Sequence, residues 1–530
     1  MPRRAALTKK RFLGKPRNPR LLTKSPLNVV GAFLFIIAML CMGMIKRKQQ
    51  RQLKMEFVCL DELVPHEHIL KKIDKTVDFE FIREKTAHLY CQDNGRPAVD
   101  PVVLFKMLFI GYLFGIRSER QLVKEIQVNV AYRWFLGFDF TTKVPDASTI
   151  SQNRRRRFSD STIYQDIFDE IVFFAMKKRL VDGKRLYTDS THLKANANKN
   201  KFVLAQVQKS TRSYLDALEQ DIAEDRAAHG KKPLKAKERE VELKEIKKST
   251  TDPESGFMVR DGKPRGFFYF DHRTVDGKLA IITDTHVTPA NVHDSIPYLD
   301  RLDRQRERFG FTVEAVGLDA GYNTAAIFKG LEERNIFGVV AHHGRIPVKG
   351  RMAKRKYRYD ADADCYICPN NRQLRYQTTE RGGNRLYVSD PADCRACALL
   401  STCTASATRQ KVLTRHVWES YRERARDNRL SEYGKKIYAR RKETVERSFA
   451  DAKQLHGHRY ARMRGLRNVQ EQSLLCAWAA NIKKIALALT RGGVFTLYLS
   501  LIRCTLLNIF AATCPRPTQN LRQNTCLSLV

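Results

Sequence analysis

The chain has 530 residues, with 96 Lys and Arg against 57 Asp and Glu and a formal charge of +39. That length leaves ample material for a buried core in two or three units, and twelve cysteines spread over it exclude a small secreted disulfide scaffold. A charge excess far beyond what solubility requires points to a polyanionic partner. Its concentration at 154–157, 345–358, 422–442 and 459–467 points to several contact surfaces.

Residues 29–45 form an uncharged apolar run near the lower limit for a membrane-spanning helix. Lys and Arg flank it on both sides, so the charge asymmetry that sets membrane orientation is missing, and no clear small-residue cleavage site follows. From 61 to about 182 the pattern is helical, with amphipathic stretches at 66–75, 101–115 and 119–136 separated by Gly and Pro signals. The apolar stretch 102–116 is interrupted by Lys106 and is too short to span a bilayer, so it reads as a buried core helix. A helix start at 145–148 leads into Arg154, Arg155, Arg156 and Arg157, a run suited to phosphate backbones.

Short β-branched and aromatic runs follow at 184–193, 266–275, 278–287, 314–319 and 336–342, with helical patterns at 293–309 and 324–334. Three strands, then helix, strand, helix, strand, is the element order of an RNase H-like mixed sheet with flanking helices, although other α/β folds give similar runs. Residues 205–248 read as a charged helical excursion. A second insertion, 350–415, carries Cys365, Cys368, Cys394, Cys397 and Cys403, a cluster that points to tetrahedral zinc in a reducing, intracellular setting. Paired Cys-x2-Cys spacing selects Cys365, Cys368, Cys394 and Cys397. Residues 421–484 are again helical and basic, and there is no internal repeat.

Two aspartates end predicted strands: Asp189 in YTDST and Asp319 in VGLDAGY. Carboxylates leaving a sheet at strand ends lie where open α/β sheets build their sites. Glu446 and Lys453 are seven residues apart on a predicted helix and share a face. Three acids of this kind suit a pair of divalent ions, and nearby cations suit phosphate.

The strings YTDSTHLKANANK, ITDTHVTPANVHDS, VGLDAGYNT and VERSFADAKQLHGHRYARMRGL resemble the catalytic blocks of bacterial insertion-sequence transposases of the DDE class, in the subgroup with a cysteine-rich insert. Upstream, FVCLDELVPHEHILKKID, GRPAVDPVVLFKMLFIGYLFGIRSERQL and YRWFLGFD are similar to that subgroup's N-terminal domain, and the resemblance spans about 52–484. It implies that Asp189, Asp319 and Glu446 are the three acids, holding two Mg2+ or Mn2+ ions, and that Lys453 contacts the transposon end. One ion would activate water at the scissile phosphate, the other would stabilise the leaving 3′ oxygen, and the freed 3′ hydroxyl would attack target DNA. For a structural zinc the resemblance selects Cys368, Cys394, Cys397 and Cys403. His192, His286, His293 and Asp294 fall in the matching blocks as residues that shape the pocket.

Related families space the third-acid helix as Tyr-x2-Arg-x3-Glu-x6-Lys, whereas Tyr438, Arg441 and Glu446 are one residue too widely spaced. Glu443 competes for the third acid, but seven residues beyond it stands Ala450 instead of a lysine. Met42 or Met44 resembles a normal start for the family, so 1–41 is expected to precede the true start rather than to anchor the chain in a membrane. The apolar tail 494–513, with Arg503 at its centre, has no counterpart reading.

The expected organisation is an apolar and basic extension over 1–50 and a helical DNA-binding domain over 51–182. The first part of the catalytic core follows over 183–349, with a helical insert at 205–250. A zinc-ribbon-like insert over 350–415, the helical end of the core over 416–490 and a tail over 491–530 complete it. The expected partners are double-stranded DNA at transposon ends and target, and further copies of the chain on DNA, in the bacterial cytoplasm at the nucleoid, with no small-molecule substrate. Two other readings share these features: a metal-dependent nuclease on the same sheet that cuts without joining, and a zinc-ribbon DNA-binding protein whose acids are surface residues.

Overall fold

Capping chemistry fixes the helices that open the chain. Asp100 accepts from the Val102 amide and a proline opens the next turn, so Pro101–Leu113 begins sharply. That helix is apolar on almost every face and buries ten of its residues, as a core helix should. Ser118 caps Glu119–Val128. Asn129 then adopts an extended conformation and caps Val130–Phe135, which divides the single helix expected over 119–136 into two. The computed structural model describes residues 57–91, 98–208, 215–235, 243–259, 262, 265–342 and 350–513, with side chains as far as 490 in the last stretch. The expectations for 1–50, including the apolar run and the start at Met42 or Met44, lie outside the described residues.

The central sheet uses strands β1 (Arg185–Lys194), β4 (Gly256–Met258), β5 (Gly266–Asp276), β6 (Ile282–Pro289), β7 (Ala315–Leu318) and β8 (Phe337–Val340), with β2 (Phe202–Gln208) and β3 (Leu243–Ser249) standing apart as a pair. The order is β5-β1-β7-β8, and β6 and β4 share the outer edge of β5. Strands β5 and β6 run antiparallel to their neighbours, while β1, β7 and β8 are mutually parallel. The parallel strands are joined through helices Tyr298–Phe309 and Ala325–Glu333, as parallel pairing demands. Strands β7 and β8 are short, nearly continuous apolar runs because helices cover both faces.

The helical excursion expected over 205–248 is corrected. Its ends are β2 and β3, paired antiparallel from Phe202↔Ser249 to Gln208↔Leu243, and among the described residues between them Leu215–Ala228 is helical. Neither strand alternates at period two, and the Leu, Ala, Gln, Lys and Glu that make up most of them favour helix, so the local composition conceals the ribbon.

The cysteine-bearing insert is a five-stranded antiparallel sheet: β9 (Arg358–Asp360), β10 (Cys365–Ile367), β11 (Gln373–Thr379), β12 (Asn384–Ser389) and β13 (Val412–His416). Tyr357, Tyr366, Leu374, Tyr387 and Leu413 form its own small core. The two insertions hold each other. On helix Leu215–Ala228, Asp225 accepts from Thr379 at 2.6 Å and Arg226 donates to Thr378 at 2.9 Å, while Lys329 of Ala325–Glu333 pairs with Asp221 at 2.5 Å.

Helix Leu466–Thr513 continues through the boundary expected at 490, and joins the helical N-terminal layer to the sheet. Trp478, 1% exposed, meets Phe79 and Phe109 edge-on at 6.2 and 5.2 Å between ring centres. One turn further, the Asn481 side chain donates to the Ile282 carbonyl at 2.7 Å and accepts from its amide at 2.8 Å. The helical layer and the sheet thus share one core, and the described residues from 59 onward form a single compact unit.

Candidate active site

Asp189 lies in the middle of β1, not at its end, because antiparallel pairing with β5 carries that strand on to Lys194. The parallel partner stops earlier. Pairing of β1 with β7 runs from Arg185↔Ala315 to Thr188↔Leu318, so Asp189 and Asp319 are each the first residue past it. Two carboxylates 130 positions apart are thereby set side by side where the sheet opens.

Arg441 fills the space between them. It is 2% exposed and donates through Nη2 to Asp189 at 2.7 Å and through Nη1 to Asp319 at 3.3 Å. Its aliphatic stem passes over Gly317 in β7, and its guanidinium lies 5.4 Å from the Tyr438 ring centre. Arg441 therefore lies against both acids, and Tyr438 against Arg441, despite the extra residue before Glu446.

The spacing itself has a structural explanation. Residues Lys442–Glu446 form a π turn, closed by the Glu446 amide donating to the Arg441 carbonyl at 3.1 Å. A π turn holds one more residue than an α turn, so five residues here carry the chain about as far round as four do in an α-helix. The surplus residue is absorbed before Arg447–Gln454 resumes as α-helix. Lys453 then reaches β1 and donates to the Thr191 hydroxyl at 2.5 Å, two residues past Asp189. Glu446 is exposed and bears on the Arg441 guanidinium electrostatically without a direct ion pair to it.

Burial raises the Asp189 pKa to about 6 against the pull of Arg441, and the carboxylates of Asp319 and Asp294 add to the rise. Asp294 accepts from the Ser190 hydroxyl at 2.8 Å. Its other oxygen would lie 3.1 Å from a Cβ at Gly321, which explains a glycine two residues after Asp319. Of the histidines in the same sequence blocks, His286 packs beside His272 on β5 and burial lowers its pKa to about 4.

Among the described residues, no three His, Cys, Asp or Glu side chains are gathered closely enough to hold a metal ion as they stand. At the acids the reason is visible: the place where Asp189 and Asp319 converge is taken by a cation of the protein's own. Two oxygen-donor carboxylates already sharing one positive charge fit Mg2+ or Mn2+ in both charge and ligand type.

The arginine run divides. Arg154 is corrected as a DNA contact: it is buried, paired with Glu119 at 2.5 Å and with Glu471 at 3.8 Å. Arg157 is turned inward over the Tyr90 ring at 4.1 Å, and only Arg155 and Arg156 are exposed. A π turn over Asn153–Arg157 sends the four side chains to different surroundings, which a run of identical letters conceals.

The cysteines also divide. Cys365 is buried within β10, whereas the Tyr357 hydroxyl meets Cys403 Sγ at 2.9 Å and feels Cys368 and Cys394. The Arg372 amide lies 3.3 Å from Cys368 Sγ, and Asn370 Nδ2 lies 3.8 Å from Cys397 Sγ. All four are half-buried free thiols, sulfur donors of the type zinc takes, although they are not gathered round one point as they stand.

Sequence reasoning missed the polar network behind the acids. Arg273 and Asp271 are fully buried on β5, 2.8 Å apart, and Arg273 also donates to the Ser448 hydroxyl at 3.1 Å, tying the helix of Glu446 and Lys453 to the sheet. His458 joins Asp271 at 2.9 Å. The signal available was Asp271, His272 and Arg273 inside an otherwise apolar strand.

The helical layer packed on a mixed α/β sheet, with paired carboxylates at the sheet opening, is the setting in which the sequence comparisons point to a transposase. Residues 58–156 match the family model described as "Transposase domain (DUF772)". Residues 367–486 match the one described as "Transposase DDE domain", and the two matches together support a DDE transposase of the insertion-sequence kind. Glu446 and the four cysteines from Cys368 to Cys403 lie in the second match, while Asp189 and Asp319 lie in neither. No curated protein matches the chain. Among solved structures, the chain is similar to the piggyBac transposase in a synaptic complex with hairpin DNA. That similarity has 10% identity and a TM-score of 0.30, over 80% of this chain and 75% of that one.

Proposed function

We propose that this transposase binds the inverted-repeat ends of an insertion sequence and catalyses metal-dependent cleavage and strand transfer, with Asp189, Asp319 and Glu446 as the catalytic acids. The observation that carries the reading is the convergence of Asp189 and Asp319 on one cation where the parallel pairing of β1 and β7 ends. The strand order β6-β5-β1-β7-β8, with its mixture of senses, supports an RNase H-like core.

Asp189, Asp319 and Glu446 would hold Mg2+ or Mn2+, which when bound supply Lewis acidity and an activated water at the scissile phosphate. The chain's own part is positioning. Lys453, held over β1 by Thr191, sets a positive charge two residues from Asp189 for a DNA phosphate. Asp294 fixes Ser190 and the backbone around Gly321, so both acids leave rigid elements. Arg441 neutralises the paired carboxylates, and with a metal bound there its charge would be free to face DNA. Cys368, Cys394, Cys397 and Cys403 would hold one structural zinc that braces the five-stranded insert. The helical layer over 59–177 engages DNA, the chain assembles as a homo-oligomer on it, and the cell compartment is the bacterial cytoplasm.

The test is strand transfer with linear DNA bearing the element's flanking repeats in Mg2+. The intact chain should cut and join, and Asp319→Ala should do neither. Equal activity in both would overturn the assignment, and cutting without joining would identify a nuclease.

A further inference from the structure

The ends of three segments meet beyond the far end of β1. The Lys194 amide donates to the Arg459 carbonyl at 3.2 Å and the Ala461 amide donates back to the Lys194 carbonyl at 2.8 Å, so Tyr460 is pinned beside the last residue of the strand. Below it, residues 455–457 press on the turn after Pro101–Leu113. Gly115 has φ +70°, and a Cβ there would lie 2.7 Å from the Leu455 carbonyl, so only glycine permits the approach. Arg462 stacks over Tyr112 at 3.9 Å and completes the junction.

This junction is the wall between two clefts that share Tyr460 and Ala461, one of about 1300 Å³ and one of about 450 Å³. The larger is lined by the exposed side chains of Arg117, Arg120, Lys124 and Arg155, and the smaller by Lys194 and Arg464. None of these six ion-pairs with an acid among the described residues. The acids of the larger cleft are otherwise engaged: Glu119 holds Arg154, and Asp146 caps helix Ala147–Gln152 by accepting from the Ser148 amide. Tyr460 stands 44% exposed at the meeting point, with the Arg117 guanidinium 5.2 Å and the Lys194 ammonium 5.9 Å from its ring centre.

Position relative to the acids makes the surface meaningful. From Asp189 to Lys194 is five residues of strand, about 17 Å, or roughly half a turn of duplex DNA. Thr191 and Lys453 lie between, so positive charge continues from the acids to the clefts. An exposed aromatic ring set among unpaired cations suits a strand whose phosphates meet the cations while a base stacks on the ring.

We infer that the two clefts hold the DNA running away from the scissile phosphate, with its backbone on Arg117, Arg120, Lys124 and Arg155 and an unpaired base stacked on Tyr460. This rests on the reading of the Asp189–Asp319 centre as the site of strand cleavage. Of the arginine run, Arg155 is the member that lines this cleft.

The experiment uses the full chain and a duplex of the element's terminal repeat, with 2-aminopurine placed singly at successive positions beside the cleavage point. Wild type should alter the probe's fluorescence at one position. Tyr460→Ala should abolish that change and weaken binding about tenfold, while Tyr460→Phe should keep both. Arg120→Glu with Lys124→Glu should weaken binding at least tenfold and lower the salt-dependence slope by about two. An unchanged slope in the double variant, or an unchanged probe signal in Tyr460→Ala, would overturn the inference, as would binding to an acidic polypeptide as tight as to DNA. Asp189→Ala keeps the two readings separable: it should bind and report like wild type while failing to cut. A wild type that binds with the expected signature yet never cuts would sink the catalytic reading and leave the cleft standing.

Discussion

Arg441 donates to Asp189 at 2.7 Å across 252 residues of sequence, and that contact closes the candidate centre around a charge supplied by the protein. Removing the guanidinium leaves a mostly buried carboxylate without its partner, which costs about 3 kcal/mol for a pair of this kind. The exposed Asp319 side of the bridge adds less. Arg441→Ala should therefore melt lower than wild type without metal, and should gain more in melting temperature from Mn2+ than wild type does. Equal gains in the two proteins would show that the guanidinium and the ion do not compete for the same carboxylates.

Glu446 and Glu443 are separable by substitution. Glu443 is 69% exposed and paired only with Arg440, three residues before it at 3.2 Å. Glu443→Gln should keep cleavage within about twofold of wild type. Glu446→Gln should lose it by a factor on the order of 10²–10³ while melting normally. The reverse ranking, read from initial rates on the same substrate, would move the third acid to Glu443.

Zinc content tests the thiol set. Protein purified without chelator should carry one zinc per chain by metal analysis, and Cys403→Ser or Cys394→Ser should lose it. Cys365→Ser should retain it, since that thiol is enclosed in β10. Removal of zinc by a chelator should lower the melting temperature of the wild type but not that of Cys403→Ser. Full zinc in Cys403→Ser would return Cys365 to the set.

His458 makes stability pH-dependent. Burial opposes its charged form, but Cys476 and the Asp271 carboxylate at 2.9 Å outweigh it and raise its pKa to about 9. Arg273 and Gln472 complete its polar surroundings. A folded-state pKa raised above the unfolded value of about 6.5 means that the folded protein holds the proton more tightly. The resulting stability is fully present below about pH 6.5 and is lost as pH rises through 9. Melting temperature should fall across that interval, and His458→Gln should melt lower but with a flatter profile. Parallel profiles for the two proteins would remove His458 as the cause.

Much of this architecture was readable in advance where side-chain periodicity and burial agree. The five core strands fall where β-branched and aromatic runs placed them, and Pro101–Leu113 is the buried helix its composition required. The helical excursion expected over 205–248 holds at Leu215–Ala228 but not at its ends, where helix-favouring residues stand in a two-stranded ribbon. The pairing of Asp189 with Asp319 depends on where β7 stops, which no local pattern states. Arg441 was doubted over one surplus residue, since a one-dimensional spacing cannot distinguish an α turn from a π turn.

The helix from Leu466 onward has a bearing on how the molecule is born. Asp189, Asp319 and Glu446 leave the ribosome in that order, yet Trp478 and Asn481, which seat the sheet against the helical layer, come after all of them. A nascent chain that has emitted all three proposed acids still lacks the brace between sheet and helical layer, so competence to cut should arrive late in translation.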